Sequence, residues 1–281
     1  MRASLALATL SSFFLYGAAA QEGVRSTVPT AAPLTSESTG KIGAIATRAV
    51  MRVICPEHNS AGTAFLHKSG KLLTADHVVH DCAAPVLLLT NGTTNKITIV
   101  ASDADLDIAI LNPALPIVAT PLGISSLPDF IIGAQVTTWG FPAGYANSVP
   151  ILSVGYLAGT QPLKTDSGKI VQRYVVNAAF NAGNSGGPLI HIETGEVMGI
   201  VSSKLAPISD NTMSALHALQ AQHNGFTYTA TKSDGTTATL SEGQVVAMVL
   251  DELRQQIQLV IGMAIPNQDI RSFLIKNGIS P

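Results

Sequence analysis

From Val50 onward the chain is cut into short β-branched and apolar runs separated by Gly, Pro, Asn or Asp, the pattern of short strands joined by tight turns. Six runs come first: Val50–Cys55, Gly62–His67, Lys71–Ala75, Val86–Thr90, Lys96–Ala101 and Asp107–Leu111. They predict a small barrel. A second series follows: Ala134–Trp139, Ile151–Leu157, Ile170–Asn177, Pro188–Ile192, Val197–Ser203 and Leu259–Ile265. It predicts a second barrel.

Residues 207–258 interrupt the second series and predict a mixed α/β insertion. Leu216 and Leu219 mark a short helix, and Phe226–Thr231 and Thr236–Leu240 flank Asp234-Gly235, a two-residue hairpin signal. Ser241 and Gln244 fit a capping box, and Val246, Val249, Leu250, Leu253 and Ile257 follow one helical face, expected to pack inward. A last helix is expected from Asn267 as N-cap, through Ile270, Phe273 and Leu274, to Gly278 at the left-handed C-terminal position.

Composition narrows the function classes. The 281 residues are 46% hydrophobic and 12% charged, which suits a globular protein. The formal charge is −2 with no Lys/Arg run, so nucleic-acid binding lacks electrostatic support. Met1-Arg2, an apolar run from Ala3 to Gly17 and Ala18-Ala19-Ala20 read as a removable signal over residues 1–20. That run is shorter than the ~20 apolar residues of a bilayer span, so no stable membrane span is expected after its removal. A secreted or periplasmic location follows.

Residues 21–40, rich in Ser, Thr, Pro and Ala, are expected to form a flexible leader before a domain at 41–281. Export permits a disulfide between the two cysteines, Cys55 and Cys82. Asn91-Gly92-Thr93 is a turn signal, and an acceptor for glycosylation in a host that performs it.

Gly183-Asn184-Ser185-Gly186-Gly187-Pro188 surrounds a serine with residues that permit a tight turn. Such a turn exposes the Ser185 hydroxyl as a nucleophile and aims the N–H groups of Gly183 and Ser185 at one point, where an oxyanion develops in acyl transfer. His77, just after the Lys71–Ala75 run, is the candidate base. Asp107 is a candidate to orient it, with Asp103 and Asp105 as rivals, because spacing by two places all three on one side of an extended chain.

Seven segments, in order, resemble trypsin-like serine proteases of the chymotrypsin fold, in particular the bacterial HtrA/Deg-like branch. They are Gly62-Thr63-Ala64-Phe65, Leu73-Thr74-Ala75-Asp76-His77-Val78-Val79, Asp107-Ile108-Ala109-Ile110, Gly140-Phe141-Pro142-Ala143-Gly144, Gly183–Pro188, Gly199-Ile200 and Gly262-Met263-Ala264-Ile265-Pro266. The likeness spans about residues 45–205 and 258–278. It implies an all-β double six-stranded barrel with a C-terminal helix, the first barrel over about 45–118 and the second over about 128–278. It also implies a triad of His77 as base, Asp107 as its orienting partner and Ser185 as nucleophile, with no cofactor.

Departures from the pattern refine these expectations. Asn184 stands where enzymes activated by pro-segment cleavage carry an Asp, so no N-terminal ion-pair switch is expected. Too few residues follow the last strand for the PDZ domains of many HtrA-like proteins, so a protease domain without them is expected. The resemblance places Ala179 at the base of the S1 pocket beside Phe180, with Val201, Ser202 and Met263 shaping its walls, and implies a small or medium apolar residue before the scissile bond. The 207–258 insertion is expected to act as a lid or cleft wall.

Substrates are proteins or peptides on this reading. An esterase on the same scaffold or a catalytically silent binding protein are the alternatives. His77, His80 and Cys82 do not complete a tetrahedral set, so no metal is expected. His58, His67, His217 and His223 are expected at solvated positions, His191 in a structural role, and Trp139 in the core.

Overall fold

A computed structural model describes residues 34–58, 60–127, 132–204, 210–221, 225–231, 237–256 and 261–281. The signal and leader up to residue 33, the Asp234-Gly235 turn, His223, Ile257 and Leu259 lie outside the described residues.

The first described element corrects the leader expected over residues 21–40: helix α1 begins at Leu34 and runs to Ala49. Ile42, Ala46 and Ala49 are all buried, and their i, i+4, i+7 spacing gives the helix one apolar stripe. Gly43 lets the helix approach the Trp139 ring, since a Cβ there would lie 3.1 Å from it. Trp139 is a core residue, as expected.

The first barrel is closed by β1 (Val50–Cys55), β2 (Ser60–Leu66), β3 (Leu72–Thr74), β4 (Val86–Leu88), β5 (Thr94–Asp103) and β6 (Ile108–Pro113), in the spatial order β1-β2-β3-β6-β5-β4. The second is closed by β7 (Gln135–Gly140), β8 (Ile151–Lys164), β9 (Ile170–Asn177), β10 (Pro188–His191), β11 (Val197–Lys204) and β14 (Gly262–Pro266), in the order β10-β11-β14-β9-β8-β7. Every pairing is antiparallel. The fold is the double six-stranded barrel of the chymotrypsin type.

One apolar cluster fills the first barrel and continues into Trp139, Phe141, Ile190, Ile200 and Ile265 of the second. A separate cluster of Val136, Leu157, Tyr174, Val176, Phe180, Leu189, Met198, Val201 and Ala264 fills the second barrel. The disulfide joins Cys55, at the end of β1, to Cys82, with Cα atoms 5.7 Å apart and a sequence separation of 27. Closing a loop of that length stabilises the fold by about 3.5 kcal/mol on the chain-entropy account.

The insertion carries α2 (Asp210–Gln220), the hairpin β12 (Thr227–Thr231) and β13 (Thr237–Ser241), and α3 (Glu242–Gln256). Its capping box forms: the Gln244 N–H donates to Ser241 Oγ and the Ser241 N–H to Gln244 Oε1. Three members of the expected inward face point outward, and the side chains of the other two, Leu253 and Ile257, lie outside the described residues. Val246, Val249 and Leu250 are exposed, while Gly243 and Ala247 are buried.

Helix α4 (Asn267–Lys276) follows β14. Pro266, not Asn267, is its N-cap. The buried Asn267 side chain instead donates to the carbonyls of Ser125 and Leu127 and accepts from Tyr174 Oη, so it ties the helix start to the second barrel. Gly278, with φ of 71°, takes the left-handed position as expected.

His67 is a further correction, being fully buried rather than solvated. Its backbone forms a bridge with Leu122, and burial, with the charge of Lys68, holds its pKa below the ordinary histidine value. His58 and His217 are exposed.

Candidate active site

A short 3-10 turn, Asp76–Val78, follows β3 and carries His77 to the rim of the first barrel. The turn is tied to the start of β6. The Asp76 N–H donates to Asp107 O at 3.1 Å, the His77 N–H to Asp107 Oδ1 at 3.1 Å, and His77 Nδ1 lies 2.9 and 3.0 Å from the two Asp107 oxygens. A carboxylate only accepts, so the proton is assigned to Nδ1 and Nε2 is the basic nitrogen. His77 is half exposed while Asp107 is 16% exposed, so the imidazole is reachable and its partner sheltered.

The rivals separate because the chain is not extended there. Residues 104–107 form a turn, closed by the Leu106 N–H donating to Asp103 Oδ1 at 3.0 Å. Asp105 accepts from Ser167 Oγ at 2.6 Å. Asp107 alone of the three faces His77, and it does so from φ of +60°, the left-handed region.

Asp107 Oδ2 also accepts from Ser202 Oγ at 2.6 Å. Ser202 lies where the β11–β14 register shifts, between Val201 paired with Ala264 and Ser203 paired with Met263. The irregularity re-aims its side chain. Ser202 was expected in the pocket wall; its hydroxyl belongs to the carboxylate, and nothing in the local sequence signals a register shift.

Charge and burial compete in this pair. Burial pulls the His77 pKa down, but the hydrogen bond and charge of Asp107, with the charge of Asp76, outweigh it and raise the net value. Burial pushes Asp107 up, and its bonds to His77 and Ser202 reverse that, leaving it below the usual carboxylate range.

Ser185 sits on a turn that only glycine neighbours permit. Gly183 has φ of +91°, and a Cβ there would fall 2.3 Å from Phe141 O. Gly186 has φ of +85°, and a Cβ there would fall 2.0 Å from Thr63 O. Thr63 locks the turn: its N–H donates to Ser185 O at 2.8 Å, and its Oγ1 donates to Gly183 O at 2.7 Å and accepts from the Phe141 N–H at 3.2 Å. Sequence reasoning saw Thr63 only as part of a motif.

Ala182 O accepts from the Ala143 N–H at 2.7 Å. Because the peptide is planar and trans, the Gly183 N–H points the opposite way. Among the described residues neither the Gly183 nor the Ser185 N–H has a protein acceptor. The Ser185 hydroxyl donates to Ser202 O at 2.9 Å.

His77, Phe180, Asn181, Ala182, Ser185, Val201 and Ser202 line one cavity of about 330 Å³. Of the residues expected in the pocket, Phe180, Val201 and Ser202 line this cavity. Ala179 and Met263 do not line it: the Ala179 carbonyl is turned to Asn184 Nδ2 and Ser153 Oγ, and Phe180, packed on Gly262, takes the wall position. On the far side of Ala182 a second cavity of about 450 Å³ is lined by Arg52, Phe141, Tyr145 and Gly183 among others. Cys82 is in the disulfide, so its sulfur is not a thiolate ligand.

Comparison with known proteins agrees with this geometry. Residues 62–200, which include His77, Asp107 and Ser185, match the trypsin-like peptidase domain family. The chain carries a domain of the trypsin-like peptidase family. The serine protease Do-like HtrA of Lactobacillus helveticus is 33% identical over 158 residues, covering 54% of this chain and 37% of that protein. A probable periplasmic serine endoprotease, DegP-like, of Rhizobium meliloti is 29% identical over 147 residues, covering 52% of this chain and 28% of that protein. The chain matches between 28% and 37% of the length of these two relatives. The crystal structure of Rv3671c protease in an inactive form superposes with a TM-score of 0.59 at 18% identity, over 89% of this chain and all of that one. That likeness concerns the fold of the trypsin-like domain.

Proposed function

We propose that this trypsin-like domain is an exported serine endopeptidase. The carrying observation is one cavity lined by both Ser185 and a His77 held by Asp107, beside a glycine turn whose two N–H groups have no protein acceptor among the described residues. Rotation about χ1 takes the Ser185 hydroxyl from Ser202 O to His77. Oγ attacks the substrate carbonyl carbon while its proton passes to His77 Nε2. The carbonyl oxygen becomes an oxyanion bound by the N–H groups of Gly183 and Ser185. Collapse breaks the C–N bond, the amine leaves with the proton from His77, and water hydrolyses the acyl-enzyme by the same steps.

The cavity favours a small or medium apolar side chain before the scissile bond. Phe180 and Val201 line it and, among the described residues, no carboxylate does, so a basic side chain would enter unpaired at a cost of several kcal/mol. Asn184, buried and bonded to Ala179 O, supports competence without an N-terminal ion pair. Export is supported by the disulfide and by the periplasmic assignment of the Rhizobium relative. No helix among the described residues is long and apolar enough to cross a membrane.

A fluorophosphonate probe is expected to label the full chain at Ser185. Proteomic cleavage profiling is expected to show Ala, Val or similar residues before the cut. Absence of labelling supports a silent binding protein, a basic preference overturns the pocket reading, and ester turnover without peptide turnover supports an esterase. Gly183→Ala is expected to lower kcat by about a hundredfold to a thousandfold, because its Cβ meets Phe141 O and displaces an oxyanion donor. Steady-state kinetics beside a thermal melt checks this.

A further inference from the structure

Arg173 lies on β9 of the second barrel and is 2% exposed. A buried guanidinium is costly unless its donors are met, and two of the three hydrogen bonds it makes go to the first barrel. Nη2 donates to Asp105 O at 3.3 Å and to Leu106 O at 3.1 Å, and Nη1 to the adjacent Gln172 O at 3.2 Å. Burial lowers its pKa, while the charges of Asp107 and of Asp269 on α4 oppose the fall.

The two carbonyls gripped by Arg173 belong to the turn that delivers Asp107. That turn ends in a strained backbone, Asp107 at φ of +60°. A non-glycine residue keeps such a conformation only where its surroundings over-determine it. The same β8–β9 hairpin supplies a second brace, because Ser167, between the two strands, donates to the Asp105 carboxylate. Neither contact touches His77, Ser185 or the cavity.

We propose that Arg173 is a positioning residue: by holding the carbonyls of Asp105 and Leu106 it sets the Asp107 carboxylate against His77, and so makes the second barrel's hairpin part of the site. This rests on the hydrolase reading above. Both carbonyls accept from the one Nη2, which the planar guanidinium holds in a fixed direction, whereas a lysine ammonium sits on a flexible stem. The charge also lies near Asp107 and adds to the field that keeps it ionised.

The test is a double-mutant cycle on an activated ester, with kcat given per folded molecule from the melting transition. Arg173→Met is expected to lower kcat by about tenfold to a hundredfold through misplacement of the pair, with KM within about twofold. In an Asp107→Asn background the same change is expected to cost under about twofold, because the group through which it acts is already lost. Arg173→Lys falls between wild type and Arg173→Met, and it carries the cycle where the methionine variant does not fold. Equal losses in both backgrounds, or no loss per folded molecule, overturn the proposal. A wild type that the fluorophosphonate leaves unlabelled defeats the hydrolase reading itself; a labelled wild type with an unaffected Arg173→Met defeats only the role of Arg173.

Discussion

Ser185→Ala is expected to lower kcat on a peptide substrate by about six orders of magnitude and to leave the melting temperature unchanged. The two halves of this expectation have different origins. The hydroxyl makes one hydrogen bond, to Ser202 O, and its loss leaves that carbonyl on the wall of an open cavity. The turn that holds residue 185 is fixed by the N–H and hydroxyl of Thr63 and the conformations of Gly183 and Gly186, and alanine keeps all of it. Activity within a few fold of wild type would mean that another group attacks the substrate. A large fall in melting temperature would mean that the hydroxyl holds the turn together.

Where the fold was legible in the sequence, the information was local. Val50–Cys55 and Ile170–Asn177 are strands over the residues their apolar runs mark, because a strand's face pattern and its bounding turn residues lie within a few positions of each other. Gly92 and Asn91 formed their turn for the same reason, with Thr93 bonded to Asn91 Oδ1. Helix α1 was missed because the Ser- and Thr-rich start of Leu34–Ala49 lowers its apolar content, and its stripe is made of Ile42 and small alanines. The exposed valines of α3 show the reverse case: a clear apolar face whose burial depends on what lies opposite.

In the site, the structure brings together the residues that motif spacing can mark: His77 bonds Asp107 and shares a cavity with Ser185. Those that act across the two barrels left no signal. Arg173 meets carbonyls 67 and 68 positions away, and Ser202 reaches Asp107 through a register shift. A buried arginine in Gln172-Arg173-Tyr174 looks like an ordinary outward-facing strand residue until its partners are placed.

Asp107→Asn is expected to lower kcat by about four orders of magnitude near neutral pH, while Asp103→Asn and Asp105→Asn keep most of the activity. The amide fails in either orientation. With its NH2 toward Nδ1 it forces the proton onto Nε2, the nitrogen that must accept from Ser185. With its oxygen toward Nδ1 it keeps the tautomer but supplies no negative charge to the imidazolium of the transition state.

The pH profile distinguishes this account from simple loss of structure. Neutral His77 is the base, so kcat/KM falls as pH drops through its pKa, which lies above the ordinary histidine value. Burial alone would place it lower, and the Asp107 carboxylate is the larger part of what raises it. In Asp107→Asn the burial remains and the charge is gone, so the acid limb is expected to move to lower pH as the maximum falls. A reduced maximum with an unmoved limb would assign the base to a residue other than His77. A greater loss for Asp105→Asn than for Asp107→Asn would transfer the orienting role to the carboxylate that Ser167 holds.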